Sequence, residues 1–236
     1  MINDVYQNYF NLTSALKTGY QIKLDTKNLK CSNISKQCGG ACVPKNKRCK
    51  STTLQQNFNI NFVLSREESK IRNLPKERAV CINPRTGVVE LDTGNRGTQT
   101  SIYITPKERI LMKGKIMTHN HPNIGFPPND PRATGVSFSD ADVSFACYNE
   151  LAEIRAVSTK YNHSLKPPTN GWNQNFYDLK VKPARVRHEK EVYNELVTQI
   201  LNNEITPEFA EIQYHHEVMN RVAASTGLKY KREFIK

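Results

Sequence analysis

Residues 115–158, KIMTHNHPNIGFPPNDPRATGVSFSDADVSFACYNELAEIRAVS, hold this chain to few folds. A short apolar run, KIMTH, enters a polar loop rich in Pro and Asn. Beyond the loop, Val143, Cys147, Leu151 and Ile154 recur at helical spacing. Ser139 stands where that helix begins and Asp142 follows three residues on, the pattern of a helix cap. EIRAVS then reads as a strand. Upstream, RAVCIN and GVVELD are β-type runs separated by Pro84, Arg85 and Thr86, which predicts a hairpin. Strand, strand, strand, helix, strand is the order of an α/β or α+β sandwich.

The flanking segments extend this core. Helices are expected near residues 65–73 and 188–203, the second carrying Val192, Leu196 and Ile200 on one face. A last helix has Thr206 as its N-cap, Pro207 at its first position and Gly227 as its C-cap, with Phe209, Ile212, Met219 and Val222 as its apolar face. Residues 1–30 are mixed polar with scattered aromatics and a short helix at the start. Residues 31–50 form a cysteine-rich module, and residues 65–236 form the main domain with a C-terminal helical extension.

Hydrophobic content of 37% and charged content of 24% suit a soluble globular protein of one large domain with a small appendage. No apolar run is long enough to cross a bilayer. The opening MINDVYQNYFNL lacks a basic segment followed by an apolar one, so the expectation is a protein made in the host cytoplasm. A net charge of +12, from 34 Lys and Arg against 22 Asp and Glu, favours an acidic protein partner or nucleic acid. The basic residues are dense only at Lys45–Lys50 and Lys229–Lys236, and Arg does not interleave with aromatics as on a single-strand platform.

Within 115–158 lies the candidate chemistry. His119 and His121 flank one residue at the end of an extended run, so both imidazoles face the same side. A third ligand has to come from elsewhere. Asp142, in the first turn of the next helix, suits that role if the loop folds back. Asp130 is its rival by spacing, but it has no Ser three residues before it and no helix after it. Two His and one carboxylate leave a position open for water, the composition of a hydrolytic zinc site. The same residues also read as an ordinary loop entering a capped helix, since a carboxylate at a helix N-terminus is stabilised with or without metal.

Taken together, a Glu near the start of a strand (Glu77 in PKERAVCINPRTG), the His-x-His-Pro of THNHP and the Ser-x-x-Asp of Ser139–Asp142 resemble the signature of the JAMM (MPN, JAB) metallopeptidases, spanning roughly residues 75–160. The local sequences are more similar to the RadC-like prokaryotic and phage branch than to the eukaryotic deubiquitinases. The resemblance implies a mixed sheet flanked by helices and Zn²⁺ held by His119, His121 and Asp142. It further implies Glu77 as general base and then acid, and Ser139 as a hydrogen-bond donor to the tetrahedral oxyanion. The loop between His121 and Asp142 is longer than the family usually has, which makes it the departure to watch.

Cys31, Cys38, Cys42 and Cys49 lie within CSNISKQCGGACVPKNKRC, spaced x6, x3, x6. A structural Cys₄ zinc site and two disulfides both account for such a cluster. Cys81 and Cys147, in a predicted strand and helix, read as buried apolar residues. The terminal HHEVMNRVAASTGLKYKREF is similar to segments of phage head-morphogenesis and minor structural proteins. The functional expectation is therefore a zinc-dependent JAMM-type peptidase or isopeptidase, phage-encoded and virion-associated, acting on a protein substrate. The alternative is a non-catalytic structural protein of the phage neck, tail or baseplate that keeps the fold and binds other phage structural proteins. A nucleic-acid-binding domain is the third reading.

Overall fold

Each central strand alternates side chains between two different cores. In β3 (Ala79–Ile82), Ala79 and Cys81 face one cluster, while Val80 and Ile82 face another. In β5 (Ile116–Asn120), Met117 joins the first cluster and Ile116 the second. Strands buried on both faces need covering layers on both sides, and the chain supplies them. The computed structural model describes residues 35–38, 41–44, 59–123, 125–127, 130–134 and 136–235.

The chain divides into two compact units, residues 1–57 and residues 58–236. In the first, β1 (Ser35–Cys38) and β2 (Ala41–Pro44) form an antiparallel hairpin whose backbone register pairs Gln37 with Cys42 and Cys38 with Ala41. Cys31, Cys49 and the side chains of Cys38 and Cys42 lie outside the described residues, as does the helix expected within residues 1–30.

The second unit is built on a six-stranded mixed sheet, as the α+β expectation requires. Its order is β4 (Val89–Asp92), β3, β5, β6 (Glu153–Val157), β7 (Tyr161–Lys166), β8 (Lys229–Phe234). All neighbours are antiparallel except β5 and β6, whose parallel pairing aligns His119 with Ala156. That parallel pair demands a crossover. The loop after His121 and helix α3 (Asp140–Tyr148) provide it, α2 (Pro106–Ile110) having preceded β5.

Helix α1 (Ile60–Ile71) covers one face, burying Val63, Leu64 and Ile71 against Val80, Ile82, Ile116 and Val157. It begins earlier than residue 65 because Asn59 caps it, its side chain accepting from the Asn61 amide at 3.0 Å. The other face is covered by α3 and by a continuous helical stretch that starts at α4 (Gln174–Phe176). This stretch passes through a π-turn at Tyr177–Val181 into α5 (Lys182–Leu201), and α6 (Pro207–Thr226) follows. α5 thus starts before residue 188. α6 has the expected caps: the Thr206 side chain accepts from the Phe209 amide, and Gly227 takes φ +80°, which favours glycine. The hairpin at 84–86 is present, closed by the Gly87 amide on the Asn83 carbonyl at 2.8 Å. Cys81 and Cys147 are buried free thiols. No described helix is long and apolar enough to cross a membrane.

Strands β7 and β8 carry no strong apolar alternation of their own. KYKREF lies on the sheet because β7 pairs with it from Tyr161–Phe234 to Lys166–Lys229, so the basic terminal run is an edge strand.

On the α1 face the sheet also buries charge. Glu68 of α1 pairs with Arg155 of β6 at 2.5 Å and accepts from the Thr118 hydroxyl of β5 at 3.3 Å, while Arg155 also meets Glu153 at 2.7 Å. Removing one partner strands a buried charge, so Glu68→Ala should lower unfolding free energy by about 3–5 kcal/mol in denaturant titrations. Glu68→Leu combined with Arg155→Met should cost less than Arg155→Met alone, which strands both Glu68 and Glu153.

Candidate metal centre

Extended backbone puts His119 and His121 on the face covered by α3 and Asn120 between them on the face covered by α1. Their ring nitrogens converge: Nε2 of His119 lies 2.9 Å from Nε2 of His121. Asp142 completes the group, with Oδ1 3.1 Å from His119 Nε2 and Oδ2 3.6 Å from His121 Nε2. One ligand atom from each of the three residues lies within 4.8 Å of the others.

Asp142 reaches this place through the cap of α3. Its Oδ2 accepts from the Ser139 amide and the Ser139 hydroxyl, both at 2.7 Å, and its own amide donates back to Ser139 Oγ at 3.2 Å. The cap and the candidate ligand are therefore one carboxylate. Ser139 spends its hydroxyl proton on Asp142 in this arrangement, and must turn it outward to serve an oxyanion.

The long loop stands aside. Arg132 binds both Asp130 oxygens (3.0 and 2.7 Å), lies 4.4 Å above the Phe126 ring and reaches Glu211 of α6 at 3.6 Å. Asp130 is thus consumed within its own loop, and Asp142, not Asp130, joins the histidines.

The donor set fits a transition-metal ion. His121 Nδ1 donates to the Val136 carbonyl at 2.9 Å. A carbonyl only accepts, so that nitrogen carries a proton, and in the neutral ring Nε2 is left with its lone pair. Two imidazole nitrogens facing each other beside a carboxylate want a shared cation. A tetrahedral ion with bonds of about 2.0–2.2 Å holds its ligand atoms roughly 3.3–3.5 Å apart, a few tenths of an ångström from the spacing seen. Burial alone would raise the Asp142 carboxyl, but the charge and hydrogen bonds of His119 and His121 outweigh it and hold it well below the usual range. Burial likewise disfavours charge on His121, yet the hydrogen bond and charge of Asp142, with the Val136 carbonyl and Glu77, together outweigh it and raise this histidine. The site is tuned to hold positive charge against a carboxylate.

Glu77 lines the same cavity of about 360 Å³ as the three ligand residues and Ser139. Ile102, Ile104, Met117 and Phe145 supply apolar wall. Burial raises the Glu77 carboxyl, partly opposed by the two imidazoles. Two features hold its backbone. Asn120, fully buried, accepts from the Arg78 amide at 2.7 Å and donates to the Leu74 and Lys76 carbonyls at 3.2 and 3.1 Å. The Glu77 amide donates to Thr98 at 2.7 Å, and Gly97 lies so close that a Cβ there would collide with the Glu77 carbonyl.

Sequence reasoning names all five of these groups but neither of their supports. Asn120 has a readable signal: a polar residue of opposite parity on a doubly buried strand needs partners. Gly97 has none, because its neighbour is distant in sequence. His215 also lines the cavity. His216 bonds the Tyr230 hydroxyl at 3.0 Å instead, and His163 and His188 lie outside the metal group.

Comparison with protein-family models, with curated proteins and with solved structures returns no match.

Asn120→Ala should leave the Arg78 amide without its acceptor, lowering unfolding free energy by about 2–4 kcal/mol. Hydrogen exchange should quicken at the Arg78 amide more than at Val80 in the adjoining strand.

Proposed function

We propose that this chain is a zinc-dependent hydrolase of the JAMM type that cleaves a peptide or isopeptide bond. The observation that carries the reading is the presence of Glu77 in the cavity that holds the His119, His121 and Asp142 donors. Two imidazoles and a carboxylate would also suit a ferrous ion. A carboxylate placed to move protons is what hydrolysis needs, and it favours zinc.

A zinc ion held by His119, His121 and Asp142 would act as a Lewis acid, acidifying water and polarising the scissile carbonyl. Glu77 takes the proton from the attacking water and returns it to the leaving amine. Burial suits it to this exchange by bringing its proton affinity nearer to neutral pH. The Ser139 hydroxyl, released from Asp142, donates to the oxygen on which charge develops. Ile102, Ile104, Met117 and Phe145 exclude bulk water and seat an apolar group beside the reacting bond. The Val136 carbonyl keeps His121 in one tautomer throughout.

Metal analysis of the purified protein should give one zinc bound at this centre. His119→Ala should lose it. Glu77→Gln should retain the zinc while lowering cleavage of a peptide library, followed by mass spectrometry, about 10²- to 10⁴-fold. The virion-associated reading rests on resemblance of the terminal segment alone. It expects stoichiometric copies in purified particles, whose assembly Glu77→Gln would leave intact if the role is structural.

A further inference from the structure

Outside the metal ligands and Glu77, His215 is the one further ionisable side chain among the described residues that line the cavity. It comes from α6, which contributes nothing to the metal group. Its neighbour His216 is satisfied by Tyr230, but Nδ1 of His215 is buried without a hydrogen-bond partner among the described residues. Nδ1 of His119 and of His163 are buried without a partner as well, but of the three histidines only His215 lines the cavity from outside the metal group. Burial, and after it the charge of Arg185, hold this histidine below its ordinary pKa. It therefore stays neutral at neutral pH, and with Nδ1 buried its Nε2 is the atom left to bond one main-chain group of a peptide, as donor or acceptor according to the tautomer.

His215 borders a second depression as well. Between α5 and α6 runs an apolar groove of about 430 Å³, whose walls include Tyr193, Leu196, Ile200 and Tyr214. Tyr193 is 59% exposed. His215 is thus a lining residue of both the metal cavity and the groove.

Resting on the hydrolase reading, we propose that His215 positions a polypeptide substrate, hydrogen-bonding its main chain where it leaves the metal cavity, while the α5–α6 groove takes an apolar side chain beyond that point. The substrate class is then a polypeptide with an apolar residue near the cleaved bond, on the side that passes His215. His215 acts on the substrate and not on the metal.

The test uses the full zinc-loaded chain and three hydroxamates measured by calorimetry. Acetohydroxamate reaches only the metal. N-acetyl-leucyl-leucine hydroxamate and a malonyl hydroxamate of leucyl-leucine amide extend from it in opposite chain directions. His215→Ala should weaken one of the two peptide probes about tenfold, the worth of one hydrogen bond. Acetohydroxamate affinity, zinc content and melting temperature should stay unchanged. His215→Gln should restore part of the loss, and Leu196→Asp, in the groove, should weaken the same probe. Unchanged affinity for all three probes would overturn the inference, as would an equal loss for all three, which would locate the effect at the metal. A wild-type protein that takes up no zinc, established before any probe is added, would overturn the hydrolase reading together with this one.

Discussion

The carboxylate of Asp142 closes a helix cap and faces two imidazoles at once, and the rest of the cavity is arranged around it. Oδ2 is fixed by the amide and hydroxyl of Ser139, which leaves Oδ1 pointing at His119. A helix N-terminus favours negative charge for its own electrostatic reasons, so α3 holds the anion in place before any ion arrives. The opposite charges then set each other: His119 and His121 keep Asp142 ionised, and Asp142 in turn raises His121.

The parallel pairing of β5 and β6 gives this geometry its rigidity. Because the chain must cross over from one to the other, α3 starts beside the end of β5, where the histidines are. Strand parity does the rest. His119 turns toward α3, while Asn120 turns the other way and ties down the segment that carries Glu77. On that same face, Glu68 anchors α1 through Thr118 and Arg155, so the strand next to the candidate centre is braced from behind by buried polar contacts. In the loop between β5 and α3, the Val136 carbonyl holds His121, while Arg132 reaches Glu211 of α6.

What can be read from sequence here follows the range of the forces involved. The Ser139–Asp142 cap, the His119/His121 parity and the Thr206, Pro207 and Gly227 signals all act within a few residues, and the structure has each of them. Helix α1 starts earlier than its apolar pattern suggests, since Asn59, a cap in a polar stretch, decides its start. KYKREF reads as a basic run and not as a strand because only pairing with β7, across some sixty residues of chain, makes it β8. The fit of Gly97 against Glu77 and the arrival of His215 at the cavity likewise depend on how distant elements dock, and spacing carries no trace of them.

The central claim is that two histidines, an aspartate and a glutamate form one water-activating zinc site. Anomalous diffraction on either side of the zinc absorption edge, from crystals of the purified chain, tests it most directly. One zinc peak bonded to His119 Nε2, His121 Nε2 and Asp142, with its remaining position facing Glu77, is the expected result. No zinc peak at this centre, or one whose open side faces away from Glu77, would contradict it.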